Sequence, residues 1–162
     1  MRPTWVRPLV GVAVTAICAL ALAIVAGAQA PDPIVGTWKM DVAKSTYKPG
    51  PPPKSATVVI TAEGKSIKVA VDAEMPSGPM KWGYTSARDG KDVPVTGNPN
   101  YDTANATQTN PHEGTIVYKK DGKTVATTKT SVAKDGKTLT VTSDGTDAKG
   151  QAFHNVSHYT KQ

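Results

Sequence analysis

Four Asp-Gly pairs, at 89–90, 121–122, 135–136 and 144–145, punctuate a chain whose remaining stretches are short and rich in Val, Thr, Ile and Tyr. Such a pair between alternating apolar and polar residues marks a tight hairpin, because its Gly supplies the positive φ that the turn requires. Strands repeated at this spacing build an antiparallel meander and exclude long helices. Ser66 to Glu74 follows the rule most clearly: Ile67, Val69, Val71 and Ala73 fall on one face, with Lys68, Ala70, Asp72 and Glu74 on the other. No segment carries the helical period over any length.

Taken in order, Pro31-Asp32-Pro33 is extended and Ile34 to Met40 reads as the first strand. Asp41 to Ser45 is expected to form one helical turn capped by Asp41, ended by the stiff connection Lys48 to Pro53. Met80 to Arg88 reads as a strand whose residues Met80, Trp82, Tyr84, Ser86 and Arg88 share a face, with Asp89-Gly90 as its hairpin turn. Pro94 puts Lys91 to Thr96 at an edge or a bulge. Asp144-Gly145, together with Lys149-Gly150, is expected to make a longer loop before a closing strand, Gln151 to Lys161.

The fold class is therefore all-β. A meander of about eight to ten strands removes its exposed edges by closing into a single barrel, expected here over residues 29–162. An open two-sheet sandwich is the alternative. The core is thin: after residue 28 the chain has one Phe, Phe153, and one Leu, Leu139. A barrel of about eight strands is just wide enough inside for side chains or one small ligand. Small inward residues leave room for a ligand, and the same composition fits a narrow, packed barrel.

Residues 1–28 read as a signal-peptide helix. Arg2 and Arg7 form a basic start, Leu9 to Val25 is almost unbroken apolar chain, and Ala26-Gly27-Ala28 supplies the small residues that a signal peptidase needs. A cut after Ala30 also satisfies the small-residue rule but places Pro31 beside the cleaved bond, so the cut after Ala28 is preferred. The competing reading is an uncleaved anchor, since the apolar run is near the lower limit of about 17 residues for a spanning helix; no charged stop-transfer flank follows. The expected location is periplasmic or secreted, with no stable membrane insertion after cleavage. Cys18 is the only cysteine and lies in this leader, so the mature chain has no disulfide, Cys-bound metal or cysteine nucleophile.

Without Arg2 and Arg7 the formal charge falls from +6 to +4, carried by scattered Lys and a single Arg, Arg88. Nucleic-acid readers concentrate Arg and aromatics on one face. Scattered Lys marks a solvated surface with protected sheet edges, and no nucleic-acid partner is expected.

Gly36-Thr37-Trp38-Lys39 in the first strand and Tyr159-Thr160-Lys161 in the last, with Asp-Gly hairpins between, resemble the calycins, the lipocalins and fatty-acid-binding proteins. The chain resembles more specifically a set of small exported bacterial proteins that share Gly-Thr-Trp-Lys followed by a Lys-Ser and Pro-Gly-Pro loop. Here those are Lys44-Ser45 and Pro49-Gly50-Pro51, continued by Asp89-Gly90-Lys91, Pro94-Val95-Thr96-Gly97-Asn98-Pro99 and Asp135-Gly136-Lys137-Thr138. The resemblance implies a lipocalin-like barrel. It implies less about a ligand: where fatty-acid-binding proteins carry Arg-x-Tyr on the final strand, this chain has Ser157 and Tyr159. A helical lid, the lipocalin disulfide and a clear Thr-Asp-Tyr motif are also missing.

The chemistry-bearing residues point the same way. Gly36 and Trp38 are expected to be structural, Gly36 allowing close approach and Trp38 packing one barrel end. If the Met80–Arg88 face points inward, Trp82 and Tyr84 form an apolar wall, joined by Tyr159, and Arg88 is a fixed cation for a carboxylate or phosphate. If it points outward, Arg88 is a surface residue beside Asp89; a cation–π stack of Arg88 on Trp38 is a further structural role. His154 and His158 share a face of the last strand, about 13 Å apart at about 3.3 Å per residue, too far to chelate one metal alone. A haem held by one of them, as in some calycin-like barrels, is the alternative to no cofactor. Asp89, Asp121, Asp135 and Asp144 each precede Gly and are explained by turn geometry, and no Ser sits in a Gly-x-Ser-x-Gly setting. No enzyme is expected. The expected function is non-covalent binding of a small, largely apolar molecule by an exported monomer. The alternative is a barrel without a cavity, acting through its surface as an inhibitor or an envelope interaction module.

Overall fold

Alternation of period two runs through ten strands in the computed structural model, which describes residues 31–162; the leader read over residues 1–28 lies outside them. The strands are β1 (Gly36–Lys48), β2 (Ser55–Glu63), β3 (Ser66–Met75), β4 (Gly78–Ser86), β5 (Asp89–Pro94), β6 (Thr103–Asn110), β7 (Glu113–Lys120), β8 (Lys123–Val132), β9 (Thr138–Thr146) and β10 (Ala152–Lys161). On β3 the expected face is the inner one: Ile67, Val69 and Ala73 are buried while Lys68, Ala70 and Asp72 are exposed. No helix among the described residues is long and apolar enough to cross a membrane.

Sequence neighbours pair antiparallel everywhere except between β4 and β5, and β10 returns to pair with β1. One ten-stranded sheet, in the order β4-β3-β2-β1-β10-β9-β8-β7-β6-β5, therefore curls into a barrel and not into a two-sheet sandwich. At its seam Gly83 and Thr96 exchange backbone hydrogen bonds of 3.0 Å in both directions. Pro94 is tolerated because β5 is the edge at that seam, with a bulge between Asp89 and Asp92.

Three local expectations are corrected. The turn at Asp41–Ser45 is not helical but a bulge inside one long β1, where the register on β10 jumps between Asp41 and Thr46. Asp41 does accept from the Lys44 N–H at 3.3 Å, but Ser45 Oγ donates to the Asp41 carbonyl and accepts from the His158 N–H. Pairing with β10 thus satisfies backbone groups that a single helical turn would leave bare. Asp144-Gly145 lies within β9 and not in a loop, and the turn falls at Asp147–Gly150, where Asp147 Oδ1 accepts from Lys149 and Gln151. Asp89-Gly90 opens β5 and makes no hairpin, because β4 and β5 part there. Asp121-Gly122 does form the tight turn, with φ of 50° and 75°.

The up-and-down order brings the segment Asp32–Val35, the β4–β5, β6–β7 and β8–β9 connections and the C-terminus to one end of the barrel. Trp38 closes that end. It is fully buried, its indole N–H donates to the Ile34 carbonyl at 2.8 Å, and Lys161 Nζ lies 5.0 Å from its ring centroid. The cation over Trp38 is therefore Lys161, not Arg88. Gly36 makes room for it, since a Cβ there would meet Lys161 Cε at 2.5 Å; the same ammonium donates to the Pro33 carbonyl at 2.9 Å.

Trp38→Ala is expected to lower the unfolding free energy by about 3–5 kcal/mol in urea titrations. Val59→Ala, at an exposed outward position of β2, is expected to change it by less than about 1 kcal/mol. Comparable losses for the two would show that the Trp38 end does not anchor the barrel.

Candidate ligand-binding cavity

Small side chains occupy many inward positions, among them Ala104, Ala106 and Thr128, all buried. They leave a cavity of about 200 Å3 within the barrel. One wall is aromatic. Trp82 stacks on Tyr84 with centroids 6.3 Å apart and meets Tyr118 edge-on at 5.8 Å, while Tyr101 stacks on Tyr118 at 4.6 Å. Offset and edge-to-face pairs of this kind each add about 0.5–1.5 kcal/mol beyond the area they bury, so the wall is rigid before anything binds. Aliphatic residues of β2, β3 and β9, such as Val58, Val69 and Val141, complete it.

Hydroxyls inside are largely paired with one another. Tyr47 Oη and Ser157 Oγ are 2.7 Å apart, as are Thr128 Oγ1 and Ser143 Oγ. Burial pushes up the phenol pKa of every tyrosine in the chain. Tyr84 rises to about 12, with Tyr118 and Arg88 pulling slightly against the desolvation. Tyr47, Tyr101, Tyr118 and Tyr159 rise for the same first reason, loss of water around the charged form.

At the Trp38 end the lining turns polar. Arg88, Gln108, His112 and Glu113 all face the cavity. Arg88 is not the last residue of the β4 face, because β4 stops at Ser86 and Arg88 sits in the connection with φ 57°. That left-handed backbone costs a non-glycine residue about 1–2 kcal/mol and is held by the Arg88 N–H donating to Ser86 Oγ at 3.0 Å. It swings the guanidinium under the N-terminal segment, where one of its terminal nitrogens pairs with Asp32. Asp32 in turn accepts from the Ile34 N–H at 3.2 Å.

Of the residues singled out from sequence, Trp82, Tyr84, Arg88 and Tyr159 lie on the cavity wall. Gly36 and Trp38 are outside it, at the closed end of the barrel. His154 and His158 are also outside: His154 Nδ1 is 2.6 Å from Asp144 Oδ1, and His158 Nδ1 is 3.3 Å from Thr140 Oγ1. Among the described residues no three of His, Cys, Asp or Glu are grouped to hold a metal. The interior void also means that the cavity-free barrel of the alternative reading is not what forms. Tyr101, Tyr118 and His112 carry wall positions that the sequence reading did not single out. Tyr118 was within reach, since it alternates with Ile116 on β7; Tyr101 and His112 sit in connections, where no period exists.

No family model matches the sequence, and no curated protein matches it. Among solved structures the chain is similar to a zebrafish ileal bile acid-binding protein complexed with cholic acid, at 13% identity and a TM-score of 0.48, covering 80% of this chain and 99% of that one. It is also similar to the siderocalin Ex-FABP, described as functioning through dual ligand specificities, at 14% identity and a TM-score of 0.35, covering 80% of this chain and 74% of that one. The up-and-down sheet whose last strand returns to its first is the architecture that the Gly36–Lys39 and Tyr159–Lys161 resemblance implied. The fold is a ten-stranded up-and-down antiparallel barrel. Within it the final strand offers Ser157 and Tyr159 to the cavity and no cation, while Arg88 supplies the guanidinium from the opposite part of the sheet.

The tyrosine environment fixes an alkaline limit to stability. The unfolded chain releases phenol protons near pH 10, the folded chain only at higher pH, so above pH 10 the native state binds more protons and stability falls as pH rises toward the folded values. Phenolate absorbance is expected to stay low past pH 10 and then to appear in one step together with loss of the sheet signal. A graded rise centred on pH 10 in a folded protein would contradict the burial of these rings.

Proposed function

We propose that the protein binds one small, largely apolar molecule non-covalently inside the barrel, as a monomer exported from the cell. The observation that carries the reading is the aromatic-walled interior cavity of about 200 Å3. Its size lies between the roughly 150 Å3 void that admits benzene and the roughly 300 Å3 at which pockets for drug-sized ligands begin. The ligand class is therefore a one- or two-ring compound or a short acyl chain, smaller than a long-chain fatty acid. A prestacked wall of Trp82, Tyr84, Tyr101 and Tyr118 favours a flat ring, because its rotamers are already ordered and little further entropy is lost on binding. Arg2, Arg7, the apolar run and Ala26-Gly27-Ala28 support export. On that reading the mature chain begins at Gln29, and a secreted form whose mass retains Met1 would overturn it.

Indane and naphthalene are expected to raise the melting temperature and to quench Trp82 emission. At about 100 times Kd the gain in stability is about 2.7 kcal/mol. Ala106→Leu, which adds bulk at a buried wall position, is expected to weaken both effects at least tenfold in ligand concentration. Absence of any shift in melting temperature across one- and two-ring compounds would refute the reading.

A further inference from the structure

The residues that line the cavity are buried or half-buried except in one stretch. Thr107, Gln108, Asn110, Pro111 and Glu113 line it and are exposed to solvent at the same time. A residue does both only where a cavity opens, so the β6–β7 turn forms one side of the mouth. β6 lies across the barrel from β1 in the strand order, and the mouth therefore stands opposite the strand that carries Trp38. Its other side is built around Arg88. The Arg88 carbonyl accepts from the Gln108 N–H at 3.2 Å, and the Arg88 guanidinium pairs with Asp32 of the N-terminal segment.

That segment, residues 32–35, is a strap over the barrel end. It precedes β1 and joins no ladder, and among the described residues every hydrogen bond that ties it to the barrel comes from a side chain. Trp38 Nε1 on the Ile34 carbonyl at 2.8 Å and Lys161 Nζ on the Pro33 carbonyl at 2.9 Å hold its root. Arg88 holds its tip. Ile34 lines the cavity, so a strap that lifts uncovers the space beneath it.

The tie at the tip is made at a cost. Arg88 reaches Asp32 from left-handed backbone, and its Nε is buried without a partner. On the β6–β7 side of the mouth, His112 Nδ1 is likewise buried and unpaired. A buried polar group without a partner regains hydrogen bonds when water reaches it, and such costs gather where a structure changes between two states. Against them stands the ion pair, with its two side chains only 16% and 24% exposed.

We infer that the Arg88–Asp32 pair is the latch of this strap, and that a ligand enters and leaves between the strap and the β6–β7 turn when the pair parts. The inference rests on the cavity-binding reading above and adds the route to the site and its control.

Stopped-flow displacement of naphthalene by excess indane measures release from the purified protein, and titration of Trp emission gives Kd. Asp32 itself does not line the cavity. Asp32→Asn is expected to speed release and binding alike by about fivefold, the scale of one partly shielded ion pair, and so to leave Kd within about twofold, which also reports that the variant is folded. Asp32→Glu keeps the charge and is expected to release at the native rate. In about 1 M salt, where the Debye length is about 3 Å, the native chain is expected to release faster and Asp32→Asn to stay as it is. Asp72→Asn removes the outer-surface pair with Lys81 and is expected to change neither rate. Native release from Asp32→Asn, equal acceleration by Asp72→Asn, or a Kd that weakens with release while binding is unchanged would overturn the latch and leave the cavity reading standing. Failure of the native chain to bind naphthalene at all would overturn both.

Discussion

The pairing of β1 with β10 joins the two ends of the described chain, and the barrel depends on it. β1 is hydrogen-bonded on one side to β2 and on the other to β10, in register from Trp38↔Lys161 to Asp41↔His158 and, past the bulge, from Thr46↔Val156 to Lys48↔His154. Without that ladder the sheet would part into a four-stranded piece, β4-β3-β2-β1, and a six-stranded piece, β10 to β5, joined only at the Gly83–Thr96 bridge and with new bare edges on β1 and β10, each a template for aggregation. Closing it also delivers Lys161 to the face of Trp38 and to the Pro33 carbonyl. The end of the barrel is thereby sealed by the same contact that ends the chain.

A closed barrel of this girth must be filled, and this chain does not fill it. Ala56, Ala73, Ala104, Ala106 and Ala126 take buried positions where a fully packed interior would carry Leu or Phe. Those small side chains leave the void along an ordered aromatic wall, with polar residues only at the Trp38 end.

Much of this was legible in the sequence, and what was not has a physical reason. The period-two face of β3 depends only on alternation, and it emerged as read. Trp82, Tyr84 and Tyr159 follow from the same alternation once the sheet closes. The Asp-Gly pairs were read too literally, because a dipeptide reports local backbone freedom while pairing is decided across the sheet. Gly145 lies opposite Phe153 on β10, whose ring packs over it, so that glycine serves the strand. Gly90 follows a connection at which the two strands separate. Arg88 leaves the strand face because its backbone is left-handed, and its partner Asp32 lies 56 residues away in a segment with no period to read. His112 stands in a turn, where no alternation marks it as a wall residue.

The central claim is that the lumen holds a rigid, aromatic-walled void open to a guest. Xenon-pressurised crystals test it most directly, because xenon enters apolar cavities without needing a specific chemistry. The account predicts a xenon peak inside the barrel, in contact with Trp82 and Tyr118, with those side chains unmoved. A lumen that takes up no xenon because Trp82, Tyr84 and Tyr118 have collapsed across it would contradict the account.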